Sequence, residues 1–236
     1  MQQFKFRAFK AVNELQTCLK FKEEHRNVLS DYGITNVTSN NDAWMYDPAV
    51  FCIVAEQEGK IVGGVRLQMS TQRGSLPVER AIGKMDKVIF GVIDRYRNSG
   101  GVAELCALWN GRKVAGTGIS KLLVRTGVAA SIQLPVKSLV SICADYTITM
   151  FRDCGFDEVA ELSRPEGYPY PNENYQARVL KIDDTRFLNS NDQNSVERIA
   201  SLRNLPKQEF IETDFSQKLK AEYHLLFNDK TTTANG

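Results

Sequence analysis

The chain carries almost no surplus charge of either sign, with 30 lysines and arginines against 28 aspartates and glutamates in 236 residues. A duplex nucleic-acid binder held by many phosphate contacts needs a basic excess that is missing here, so any anionic ligand has to be met locally. No apolar run approaches the roughly 18 residues of a membrane span, and the opening MQQFKFRAFKAVNEL lacks the apolar core of a secretory signal, which points to a cytoplasmic protein. Histidine is scarce. His25 and His224 lie on helix-like segments at opposite ends of the chain, which argues against a histidine triad or a metal site and leaves both with surface or packing roles. The five cysteines (Cys18, Cys52, Cys106, Cys143, Cys154) form no CxxC pair, so no disulfide framework or zinc site is implied, and small buried hydrophobes are expected.

What is present reads as a globular α/β protein. The composition, 42% hydrophobic and 25% charged, is that of a chain able to bury a core. Val12, Leu15, Cys18, Leu19, Phe21 and Val28 recur at three- and four-residue intervals and predict an amphipathic helix over residues 11–29. A polar loop, Asn36 to Asp47, leads to the β-branched run Val50 to Ala55. The turn Glu58-Gly59 then connects it to a second strand, Ile61 to Met69, as an antiparallel hairpin. After a loop from Ser70 to Pro77, residues 85–96 keep helical spacing up to Ser99-Gly100-Gly101, with a strand over Val88 to Ile93 as the alternative. Strands are expected at 102–109, 138–143, 157–161 and 175–182, with helices from Ile119 to Ala130 and from Thr147 to Cys154 between them. Beyond Asp183 the composition turns polar, and two appended helices are predicted, at 195–203 and 207–227. The tail TTTANG is expected to be disordered.

The strongest local signal is strand, then Ala115-Gly116-Thr117-Gly118-Ile119-Ser120, then helix. Glycines let a backbone approach a ligand, and the free N–H groups of a helix's first turn favour a pyrophosphate. Arg112 and Lys113 add positive charge just upstream. The bland alternative is a chain reversal with no ligand. A dinucleotide site is excluded, because Lys121 stands where a third glycine is needed and the turn follows a hairpin in mid-chain.

Over residues 50–182 this layout resembles the GNAT superfamily of acyl-CoA-dependent N-acyltransferases. The segment AGTGISKLL is similar to that family's [Arg/Gln]-x-x-Gly-x-[Gly/Ala] pattern before Leu-Leu. In one register Gly118 and Ser120 take the small positions and Ala115 replaces the Arg or Gln. In the other, Gly116 and Gly118 take them and Lys113 begins the motif. MFRDCGF (Met150 to Phe156) resembles the family's Leu-Tyr-x-x-x-Gly-Phe block, with Phe151 in the place of the tyrosine that protonates the departing thiolate. Tyr146 is the nearest substitute, with packing at a helix start as its other role. Val62, Gly63, Arg66, Leu67, Leu76, Pro77, Glu104 and Leu105 resemble, more narrowly, the acyl-homoserine-lactone synthases and N-acyl amino acid synthases. Cys106 and Ala107 stand where those families carry Ser-Arg.

The resemblance implies a mixed, twisted sheet flanked by helices, a GNAT-like domain over 1–182 and a helical extension over 183–236. It implies acetyl-CoA or another acyl-CoA as donor, or acyl carrier protein for a long acyl chain, and a small-molecule amine as acceptor, with no metal. Backbone groups of Leu108, Trp109 and Asn110 would hold the pantetheine between the strands at 102–109 and 138–143, and the amides of Ala115 to Ser120 the pyrophosphate. Glu104 is the candidate general base, with solvent exposure or an ion pair to Arg66 as alternatives. Arg66 is a candidate clamp for a substrate carboxylate or the outer face of a strand. A GNAT-shaped binding module without turnover is the reading from another class. A β-branched residue at 118 is expected to abolish donor binding and spare the fold. The apolar residues of 207–227 are expected to dock on the catalytic domain or on a second copy in a homodimer.

Overall fold

Alternation decides the first element. In QQFKFRAFK, Phe4, Phe6 and Ala8 are buried on one side while Lys5 and Arg7 alternate with them, and the segment forms strand β1 (Gln2–Lys10). The sequence reading began with a helix and missed this strand. The computed structural model describes residues 1–34, 42–71, 74–164 and 166–228. The tail TTTANG and parts of the loops expected at 36–47 and 70–77 lie outside the described residues.

Helix α1 (Leu15–Asp31) follows, shorter at its start than expected, and it buries Cys18, Phe21 and His25. Leu15 and Leu19, read as part of its apolar face, are exposed. The Phe21 ring lies so close over Gly64 that a Cβ there would sit 2.4 Å from it. That contact seats α1 on the sheet and fixes which helix face looks down at it.

The hairpin is β2 (Val50–Gln57) and β3 (Lys60–Met69), followed by α2 (Pro77–Ile82), which starts where the expected loop ends and is not among the expected helices, and α3 (Val88–Asn98). Next come β4 (Val102–Asn110), α4 (Ile119–Ala130), β5 (Ser138–Ala144), α5 (Ile148–Asp153), the two-residue strands β6 (Asp157–Glu158) and β7 (Tyr168–Pro169), and β8 (Gln176–Ile182). Helix α6 (Gln193–Asn204) is the first of the two expected C-terminal helices.

The second is a correction. Residues 207–224 form a hairpin, β9 (Lys207–Glu212) and β10 (Leu219–His224), and β10 runs parallel to β1 inside the main sheet. Ile211, Phe215, Leu219 and Tyr223 are spaced by four, which places residues on one side of a helix and equally on one face of a strand. Ala221 decides between them. It is fully buried between Leu219 and Tyr223, the period of a strand.

The sheet has ten strands, ordered β6-β8-β5-β4-β3-β2-β1-β10-β9, with β7 also pairing β8. One face packs on α4 and α6 around Leu105, Leu122, Leu123 and Ile199. The other carries α1 over Cys52, Val54 and Trp109, and α2 and α3 over Val102 and Val140. Among the described residues no helix is long and apolar enough to cross a membrane.

Candidate active site

Two irregularities open the sheet at its centre. β4 and β5 are parallel but pair only at Val102↔Ser138, Ala103↔Leu139 and Glu104↔Val140. Beyond them β4 bulges at Ala107, whose φ is 51°, while its register against β3 shifts between Gly64 and Arg66. The strands therefore part, and Ser141 donates from its hydroxyl to the Leu105 carbonyl at 2.7 Å where they do so. A cavity of about 190 Å³ occupies the gap. Leu105 to Leu108 of β4 and Ser141 to Ala144 of β5 form its sides, Phe151 lines it from α5, and His25 and Leu29 line it from α1.

Glu104 lines this cavity from the last paired position of β4 and is completely buried. One carboxylate oxygen, Oε2, accepts the Val78 backbone N–H at 2.7 Å, and the other, Oε1, has no partner. Burial pushes its pKa up to about 8, against the opposing pull of the Val78 hydrogen bond and the Arg66 and Arg80 charges. It forms no ion pair with Arg66, one of the alternatives left open by the sequence.

Arg66 is itself buried, with its guanidinium carbon 4.7 Å from the Trp44 ring centroid and its Nε without a partner. Among the described residues no carboxylate pairs with it. The Gln68 Oε1, on the same side of β3, is also buried and unpartnered. Arg66 stands behind the cavity rather than among the residues lining it. Its charge is felt there: burial first, and Arg66 second, hold the His25 pKa down to about 4. His25 was read as a surface or packing residue and is the functional candidate that the sequence reasoning missed. The neighbouring thiols, Cys106 and Cys143, are raised by burial to about 11 and about 12, so both are un-ionised.

Tyr146 lines the cavity too, but with 79% of its surface exposed it stands at the mouth rather than packing as a helix start. Phe151 is buried against Phe156, ring centroids 5.2 Å apart, and has no proton to give.

The glycine turn lies at the start of α4. Among the described residues the amides of Gly116 and of Gly118 to Lys121 donate to no backbone carbonyl, while Thr117 is tied through N–H and hydroxyl to the Val114 carbonyl. Ser120 donates to the Asn110 side chain at 2.6 Å, joining this turn to the end of β4. Leu108 faces the cavity, whereas the Trp109 ring turns to α1, edge-on to Phe21 at 5.6 Å. Arg112 and Lys113 are exposed, Arg112 in an ion pair with Asp31. Ala115 is exposed and Ile119 buried.

Gly118 has a φ of 97°, and a Cβ added there would meet the Phe215 ring at 2.2 Å. This contact argues against the expectation that a bulky residue at 118 spares the fold. Strain in the left-handed region and overpacking each cost roughly 1–3 kcal/mol. Gly118→Val is expected to lower stability by about 2–6 kcal/mol on these terms, read as a drop in the urea midpoint; an unchanged midpoint would show that the turn over residues 213–218 yields freely.

Comparison with known proteins agrees with this fold. The profile of the acetyltransferase (GNAT) family matches residues 12–156, more than half of the chain. Among solved structures, the N-acyl amino acid synthase FeeM from uncultured soil microbes superposes with a TM-score of 0.62 at 12% identity, covering 82% of this chain and 99% of its own. The CoA-dependent acyl-homoserine lactone synthase BjaI, with SAM and isopentyl-CoA, gives 0.53 at 15% identity, covering 92% and 93%. An acyl-CoA N-acyltransferase from Pseudomonas aeruginosa gives 0.53 at 11%, covering 75% and 98%. No curated protein matches the sequence. At these identities the structural likenesses speak for the fold alone.

Proposed function

Because the chain belongs to the acetyltransferase (GNAT) family, we propose that this acyltransferase moves an acetyl or other acyl group from acyl-CoA directly to a primary amine. The observation that carries the reading is Glu104, a buried carboxyl with one free oxygen, lining the cavity where β4 and β5 part. The pantetheine arm would run along Leu108 to Asn110, with its pyrophosphate on the free amides between Gly116 and Lys121. The amine nitrogen bonds to the thioester carbon, the carbonyl electrons move to oxygen, and a backbone N–H of β4 meets that oxyanion. Glu104, ionised, takes a proton from the nitrogen. The C–S bond then breaks and the thiolate leaves, and no acyl-enzyme is formed.

A more specific reading of the acceptor rests on the likeness to FeeM, whose name says that it makes N-acyl amino acids, and favours amino acids among the amines. Arg66, buried behind the cavity, would act on the carboxylate of such an acceptor through its charge and not through contact. The donor arm, a phosphopantetheine thioester, is shared by acyl-CoA and acyl carrier protein.

The test is to mix the protein with acetyl-CoA and octanoyl-CoA, each with a panel of amino acids and simple amines, and to follow free thiol and N-acyl product by mass spectrometry. Amine-dependent thiol release with a matching N-acyl product is expected. Coenzyme A binding without such release would instead make the chain a GNAT-shaped binding module. Turnover with acyl carrier protein but not with acyl-CoA would move the donor assignment.

A further inference from the structure

His25 combines three properties that packing alone does not ask for. It is 7% exposed, it lines the same cavity as Glu104, and among the described residues its ring nitrogens have no hydrogen-bond partner. Its one ring contact is edge-on with Phe21, at 6.3 Å. No ring nitrogen of His25 is among the fully sealed unpartnered atoms, so the ring keeps some exposure, whereas Glu104 Oε1, which lines the same space, is buried without a partner, a deficit worth about 1–3 kcal/mol. The two groups belong to different elements, α1 and β4, and they line one cavity.

A neutral primary amine fits that pair. It has two N–H bonds and one lone pair, and two acceptors that hold both N–H groups leave the lone pair free to point elsewhere. We propose that His25 accepts a hydrogen bond from one N–H of the attacking amine while Glu104 receives the other, so that the lone pair faces the thioester in the gap between β4 and β5. This rests on the acyl-transfer reading and adds a selection to it: primary amines are preferred over secondary ones, which have one N–H and must leave an acceptor empty.

The surroundings suit an acceptor rather than a donor of charge. The charged and titratable groups around His25 are Arg66 from β3, Glu104 and Cys106 from β4, Cys143 from β5, Tyr146 beyond β5, and Tyr170 and Tyr175 before β8. The cation among them and the burial keep the imidazole neutral, with a pKa of about 4, so a ring lone pair stays available throughout the ordinary pH range. The same Arg66 charge disfavours a protonated acceptor in the cavity, which selects the reactive free amine.

The experiment uses acetyl-CoA or octanoyl-CoA with amino acids, benzylamine and n-butylamine, each beside its N-methyl derivative. Wild type is expected to prefer the primary amine in kcat/KM, and His25→Phe to lose about tenfold on primary amines, the worth of one hydrogen bond, with little loss on N-methyl amines. Its calorimetric affinity for coenzyme A is expected to stay constant, and one of His25→Asn or His25→Gln, which put an acceptor near one or the other ring nitrogen, is expected to restore part of the preference. If His25→Phe keeps the wild-type preference while wild type turns over, the His25 role falls and the acyl-transfer reading stands. If wild type acylates none of the amines, both fall. A second readout needs no acceptor: in His224→Gln protein labelled with ¹⁵N-histidine, only the His25 ring remains, and it should show neutral-imidazole shifts from pH 5 to pH 8. A cationic ring at pH 7 would overturn the assignment.

Discussion

Glu104→Gln is expected to lower turnover by about 10² to 10⁴-fold, the usual contribution of a general base, while affinity for acyl-CoA stays nearly constant. The base should matter more than any acid, because Phe151 cannot donate and a thiol with a pKa near 8.5 leaves readily as its anion. Tyr146→Phe should cost little by comparison. The pH dependence carries a sign of its own. Glu104 acts as a base only when ionised, and its carboxyl titrates at about 8. Wild-type kcat/KM for the amine should therefore climb through pH 8, and the glutamine variant should lack that limb.

Stability moves the opposite way, which separates lost chemistry from lost fold. The Glu104 pKa is raised in the folded protein from an ordinary 4.5 to about 8. Between those values the folded state holds a proton that the unfolded chain releases, so stability is full below the lower value and is lost as pH rises through the upper one. By pH 9 the loss is on the order of a few kcal/mol. Glutamine carries no such charge, and its amide oxygen can still accept the Val78 N–H. Glu104→Gln should be less active than wild type and yet more stable at pH 9, measured by urea midpoints at pH 6 and pH 9. A variant with the wild-type rate and pH profile would remove the base assignment.

The legible parts of the molecule were those where local period and chain order agree. Val50 to Ala55, the hairpin turn at Glu58-Gly59 and the helix after Gly118 each have one reading, and together they resemble one family. Glu104 was reachable because it is a lone carboxylate in an apolar strand. His25 was not, since a histidine on an amphipathic helix looks the same whether its face meets core, solvent or a cavity; only the docking of Phe21 over Gly64 decides that. The gap between β4 and β5 is likewise a property of a bulge at Ala107, a residue whose type gives no hint of a positive φ. The C-terminal hairpin failed for another reason. A spacing of four satisfies both periods, and what chose the strand was a distant partner, β1, itself overlooked although Phe4, Phe6 and Ala8 alternate openly.

That partnership predicts the largest effect on the fold: a chain ending at Ile182 is not expected to reach the native state. Six large side chains beyond that point are buried, Ile199, Leu202, Leu219, Tyr223, Leu225 and Phe227, and each contributes roughly 1.5–3 kcal/mol when buried. Tyr223 stacks on Phe6 at 5.2 Å and Phe227 lies against Phe51 at 4.6 Å, so their removal opens the core of β1 and β2 from the side. An electrostatic loss adds to this. Arg125, 1% exposed on α4, donates to Ser195 at 2.9 Å and to Asp214, with Glu212 3.7 Å away, and every one of those groups lies beyond Ile182. Stripping a buried guanidinium of its partners costs about 3–5 kcal/mol. The sum, about 12–23 kcal/mol, matches or exceeds the roughly 5–15 kcal/mol by which a domain is stable. The truncated chain should show no cooperative thermal transition, and its segment 2–10, with Phe4 and Phe6 uncovered, should be prone to pairing with other chains. A truncated protein with wild-type melting and the same mass in solution would mean that β10 is an ornament on the sheet, and that Phe4, Phe6 and Arg125 find other cover within residues 1–182.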